Sequence, residues 1–66
     1  MRIYINDNEL YFSGNTVADL LAQKGFDDAA GLAIAVNETV ITRKKWSSCS
    51  LKEGDSILII TPAQGG

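Results

Sequence analysis

The chain has no histidine and one cysteine, Cys49. These two scarcities exclude a good deal of chemistry. Without histidine there is no imidazole to pair with a serine or cysteine nucleophile, so general base work would fall to carboxylates. A lone thiol cannot close a disulfide within the chain, and a Cys/His zinc cluster lacks its ligands. Proline occurs once, at Pro62, and no apolar run approaches the roughly 20 residues of a membrane span. Charge is sparse as well: the net is −2, and Arg43-Lys44-Lys45 is the only basic cluster. Three basic residues without an aromatic-studded basic face are a weak footprint for nucleic acid, so neither nucleic acid nor membrane is an expected partner. The opening residues Met1-Arg2-Ile3-Tyr4 enter an alternating pattern at once, with no apolar signal-peptide core. With the free cysteine, this points to the cytosol.

What is present is an apolar core for one small domain. The chain has 66 residues, of which 45% are hydrophobic. A domain this short buries only about 60% of the surface of its unfolded chain, so the core must be economical. Arg2-Ile3-Tyr4-Ile5-Asn6 alternates at period two and reads as a strand; Asn6-Asp7-Asn8 turns the chain, and Glu9-Leu10-Tyr11-Phe12 alternates again. The two runs predict a hairpin with Ile3, Ile5, Leu10 and Phe12 on one face. Thr16-Val17-Ala18-Asp19 predicts a helix start, with Thr16 at the N-cap and an acid three residues on. Val17, Leu20 and Leu21 form its one apolar stripe, and Lys24-Gly25 ends it. Phe26 is expected against the helix end. Leu32, Ile34 and Val36 should lie under the helix, with Ala33 and Ala35 on the far face. Val40-Ile41 pairs back, Arg43 to Lys45 forms a short turn that drops Trp46 onto the sheet edge, and Leu51 plugs the core.

The last strand, Ser56 to Thr61, is apolar on both faces: Ile57 and Ile59 point one way, Leu58 and Ile60 the other. Such runs belong to central strands. A place beside the first strand, reached by a crossover, is therefore predicted. One helix cannot cover both faces of a sheet with four or five strands. The other face would show Leu58, Ile60, Tyr4 and Ala35. Either this patch docks a partner, or loop residues such as Trp46 and Phe26 fold over it.

No catalytic set emerges. The acids sit mostly at turns and caps, Asp27-Asp28 reads as a solvated loop pair, and Cys49 reads as a packing thiol with no cap or cation to activate it. No phosphate-cradling glycine loop exists. That leaves the ending, Pro62-Ala63-Gln64-Gly65-Gly66. A Gly-Gly ending arises by chance in roughly one chain in 200. It reads either as a frayed terminus or as a working carboxylate on a narrow, side-chain-free lead. A carboxylate is a poor electrophile, but an ATP-using partner could convert it to an acyl-adenylate open to attack by a thiol, persulfide or amine. Five extended residues reach roughly 17 Å. The expected organisation is a folded body, 1–61, and a flexible tail, 62–66.

The series Ile3-x-Ile5-Asn6, Thr16-Val17-x-x-Leu20-Leu21, Ala35-Val36-Asn37 with Val40, Arg43 and Trp46, then Gly54-Asp55-x-Ile57 and Gly65-Gly66 spans nearly the whole chain. In this order and spacing it resembles the ThiS type of sulfur carrier in thiamine biosynthesis. The resemblance implies an α+β, ubiquitin-like β-grasp fold: a mixed four- to five-stranded sheet around one helix, with the C-terminal strand central. It implies a carrier and not an enzyme. A ThiF-type adenylating enzyme would use ATP to activate Gly66, and the chain itself would bind no cofactor or metal. Sulfur, drawn indirectly from a cysteine desulfurase, would leave a thiocarboxylate on Gly66, and a ThiG-type thiazole synthase would take it. Gly65 and Gln64 would give the tail access, and Leu58, Ile60 and Tyr4 would dock the partner. The molybdopterin-synthase small subunit shares the Gly-Gly end but is typically longer. A ubiquitin-like protein modifier is a further reading, as is an interaction domain whose Gly-Gly is accidental.

Overall fold

The computed structural model describes residues 1–26 and 31–61. Strands β1 (Arg2–Ile5) and β2 (Asn8–Tyr11) form the first hairpin, and helix α1 (Val17–Lys24) follows. Strands β3 (Ala33–Val36) and β4 (Thr39–Ile41) form the second hairpin, a 3-10 turn covers Arg43–Lys45, and β5 (Ser56–Ile60) closes the fold. The expected pair Asp27-Asp28 and the expected tail, 62–66, lie outside the described residues.

Both hairpins turn on two residues with positive φ: Asn6 and Asp7 at 49° and 70°, Asn37 and Glu38 at 49° and 72°. Two successive left-handed residues match the twist of paired strands, and asparagine tolerates that conformation better than most residues. The helix begins where the sequence places it. The Thr16 hydroxyl accepts from the Asp19 N–H at 3.2 Å, and the Asp19 carboxylate accepts from the Thr16 N–H at 3.1 Å. It ends in a left-handed Gly25, φ 80°. There the Gly25 N–H bonds the Ala22 carbonyl and the Phe26 N–H bonds the Leu21 carbonyl. This double closure satisfies two orphan carbonyls and brings Phe26 against the core, as expected.

The sheet has five strands in the order β2-β1-β5-β3-β4. Strand β5 is central, parallel to β1 and antiparallel to β3. Its register pairs Ile59 with Ile34 and Ile57 with Val36, so these side chains share the helix side of the sheet. Val17, Leu20 and Leu21 of α1 meet them there, with Ile3, Phe12, Trp46 and Leu51 completing the buried cluster. Ile5 and Leu10 pack on the same cluster, so the predicted face of the first hairpin is the one observed. Trp46 is 6% exposed. Its indole N–H donates to the Ile41 carbonyl at 3.0 Å, and its carbonyl accepts from the Ala18 N–H at 3.0 Å. The tryptophan thus ties the sheet edge to the first turn of the helix.

Candidate functional site

Alternation in β5 puts the candidate surface on the side of the sheet away from the helix. Leu58 is 47% exposed and Ile60 53% exposed, while Ile57 and Ile59 between them are buried. The register extends the surface sideways: Leu58 pairs with Ala35, Ala35 with Val40, and Ile60 with Ala33. Val40 is exposed too, and Tyr4 beside Ser56 is half-buried. An apolar strip therefore crosses four strands, from Tyr4 on β1 through β5 and β3 to Val40 on β4. Neither Trp46 nor Phe26 folds over it, because both pack with the cluster on the helix side. The reading in which those two residues cover the face therefore does not hold. Val40 was not among the residues predicted; its pairing with Ala35 makes it part of the strip. At the hairpin end, Arg2 and Glu9 form an exposed ion pair at 3.2 Å, which partly neutralises that flank.

Strand β5 leads toward the expected tail, and its two ends are held by asparagine side chains. At the start, the Asn37 Oδ1 accepts from the Ser56 N–H at 3.0 Å and its Nδ2 donates to Asp55 Oδ1 at 3.0 Å. Asp55 is the one buried polar residue among the described residues. Its other oxygen accepts from the Lys52 N–H at 2.7 Å, so the buried carboxylate is fully engaged in fixing the turn into β5. At the far end, Asn6 bonds both polar groups of the Ile59 backbone. Sequence reasoning placed Asn6 in a turn and Asp55 among the acids at turns and caps, and assigned no hydrogen bond to Asn37. Their cross-strand bonds depend on register, which no local pattern reveals.

Beside the end of β5 lies a groove of about 410 Å³, with Ile5, Leu10, Phe26 and Ile59 as apolar lining and Asn6, Asn8, Glu9, Lys24 and Thr61 as polar lining. Its polar groups come from three segments: the first hairpin, the last turn of α1 and the residue after β5. Among the described residues, no three metal-ligating side chains come together. Cys49 is half-buried and packs on the core, and its carbonyl accepts from the Val17 N–H. The carboxyl of Asp19 is held below its ordinary pKa, first by the Asn15 N–H and then by the Thr16 N–H, which is capping and not catalysis. No described helix is long and apolar enough to cross a membrane. Of the residues expected to act, the structure brings Tyr4, Leu58 and Ile60 onto one face, while Gln64, Gly65 and Gly66 lie outside the described residues.

The ThiS family model matches residues 2–66. The chain belongs to the ThiS family. The Escherichia coli (strain K12) sulfur carrier protein ThiS is 34% identical over 67 residues, and the match covers all of both chains. The fold agrees. A crystal structure of a thiamine biosynthesis protein (ThiS) from Geobacter metallireducens superposes with a TM-score of 0.83 at 22% identity, covering all of both chains. A solution structure of a thiamine biosynthesis protein from the same organism gives 0.81 at 22% identity, covering all of this chain and 88% of that one. The five-stranded sheet around α1 is thus the ThiS-type, ubiquitin-like β-grasp, and the central place predicted for the last strand is the one observed. Family members of this kind are carriers and not enzymes.

Proposed function

We propose that this chain carries sulfur for thiamine biosynthesis as a thiocarboxylate on Gly66. The observation that supports it best is the full-length match to a sulfur carrier, with the Gly-Gly ending inside the matched range. In this reading the apolar strip of Leu58, Ile60, Val40 and Tyr4 docks an adenylating enzyme of the ThiF type. That enzyme uses ATP to join AMP to the Gly66 carboxylate and releases pyrophosphate. A persulfide sulfur, drawn indirectly from a cysteine desulfurase, then attacks the acyl carbon and AMP departs. Reductive cleavage of the resulting acyl disulfide by a thiol leaves the thiocarboxylate. A thiazole synthase of the ThiG type accepts the sulfur. Gly65 and Gln64 form the approach, because glycine adds no side chain to what must enter a narrow site. The body, 1–61, supplies binding, and the tail, 62–66, supplies the reacting atom. ATP belongs to the partner's site.

Intact-mass measurement of the protein from its native host tests the reading. The expected product is one oxygen replaced by sulfur, mapped to Gly66. Deleting Gly66 should abolish the gain with no change in the melting curve. Sulfur gained by the truncated chain, or adducts on lysines of other proteins, would overturn it.

A further inference from the structure

Among the described strands β1 alone pairs with β5 on one side, and it is too short. It ends at Ile5, and the Asn6 N–H makes the last regular ladder bond, to the Ile57 carbonyl at 2.9 Å. In a continuing parallel ladder the Asn6 carbonyl would accept from Ile59. It does not, because the left-handed φ of 49° turns the backbone away, and that carbonyl instead accepts from Asn8 Nδ2 at 3.4 Å. The Asn6 side chain takes its place. Its Oδ1 accepts from the Ile59 N–H at 2.9 Å, and its Nδ2 donates to the Ile59 carbonyl at 3.3 Å. A carboxamide has the donor and acceptor of a peptide group, so it acts as one more ladder rung where the strand has none. Ile59 lies two residues before Thr61, the last described residue before the expected tail.

We propose that Asn6 is a positioning residue for the tail: its carboxamide clasp on Ile59 fixes where β5 ends and hence where the reacting segment begins. The inference rests on the proposed carrier role. Asn37 is its counterpart at the same position of the other hairpin turn, but it grips Ser56, at the opposite end of the strand. The two asparagines therefore separate an effect on the tail from an effect on the fold. Ile60 is still paired with Ala33 of β3, so loss of the clasp opens β5 from Ile59 onward on its β1 side. Where the strand end then detaches, the lead to Gly66 counts eight residues from Ile59 instead of five from Pro62. The effective concentration of its end then falls about twofold, as the −3/2 power of length.

Asn6→Gly and Asn37→Gly both keep a residue that accepts positive φ, so neither strains its turn. In Asn6→Gly the Ile59 amide should exchange with solvent about tenfold faster, with the Ile3 and Ile34 amides unchanged. Asn6→Asp keeps the acceptor for the Ile59 N–H and should fall between. With the adenylating partner and ATP, kcat/KM for loading per folded molecule should drop two- to threefold in Asn6→Gly and hold in Asn37→Gly. Unchanged Ile59 protection in Asn6→Gly would overturn the proposal, as would equal loading losses in both variants. Failure of the unmodified chain to load would overturn the carrier reading instead, and the exchange comparison needs no partner.

Discussion

Replacing Leu58 and Ile60 together by threonine should weaken partner docking roughly 30-fold and leave the fold alone. The magnitude follows from exposure. Fully burying a leucine or isoleucine side chain stabilises by about 1.5–3 kcal/mol. Leu58 is 47% exposed and Ile60 53% exposed, so about half of each remains to be covered. A partner seated on this face therefore gains about 1 kcal/mol from each, or about 2 kcal/mol together. At about 1.4 kcal/mol per decade, that is roughly a 30-fold rise in Kd. Because the comparison is between two variants of one complex, the cost of association largely cancels. Threonine is β-branched and suits a strand, and neither position belongs to the buried cluster. The half of each side chain already covered in the free carrier is lost as well, so its own stability should fall by up to about 2 kcal/mol with the fold kept. Calorimetric titration with the adenylating enzyme, beside a melt of the carrier alone, reads both quantities. An unchanged Kd in a variant that still melts as one folded unit would refute the assignment of this face. Tyr4→Thr should cost less, because Tyr4 is already half-buried.

Cys49→Ser should keep sulfur transfer, since the thiol packs on the core and is not needed as a relay; loss of transfer in a folded variant, read by intact mass, would reverse that reading. Gly14→Ala should destabilise by about 1–3 kcal/mol in urea unfolding, because the added Cβ would fall 2.5 Å from Cζ of the buried Phe12 ring. Acid unfolding should show Asp19. Its folded pKa is lowered, so its contribution is complete above the ordinary aspartate value of about 3.9 and fades as pH falls through the folded value. Asp19→Asn should flatten that part of the stability–pH curve, and an identical slope would show that other carboxylates carry it.

The elements that could be read from the sequence are those whose cause is local. Thr16 and Asp19 cap each other across three residues, and Gly25 supplies a left-handed stop, so the helix was legible to the residue. The run Ile57-Leu58-Ile59-Ile60 announced a central strand because neither face could stand full exposure, and its order beside β1 followed. What could not be read was non-local. Asp55 looks like a turn acid after Gly54; only the approach of Asn37 and the Lys52 N–H makes burial of its carboxylate tolerable. Val40 reads as part of a short strand that pairs back, and only its pairing with Ala35 shows that it faces outward on the apolar strip. Asn6 already had a sufficient local reason in its turn, which hid its second bond partner 53 residues away.

Fold and docking are also tied together by register. Successive residues of β5 serve opposite masters: Ile57 and Ile59 close the core, while Leu58 and Ile60 form the outer strip. A slip of one residue would exchange the two sets, burying the outer pair and exposing the core pair. The apolar character of all four makes such a slip less costly here than in a strand with a polar outer face. Hydrophobic pattern alone therefore fixes this register weakly, and something else must set it. The asparagines meet that need: Asn37 on Ser56 and Asn6 on Ile59 pin the strand from opposite neighbours near opposite ends. Each bond is to a particular backbone group and cannot survive a one-residue shift, in which alternate N–H groups point to the other neighbouring strand. The outer strip can thus stay apolar, because polar side chains at the turns, and not the outer face itself, hold the strand in place.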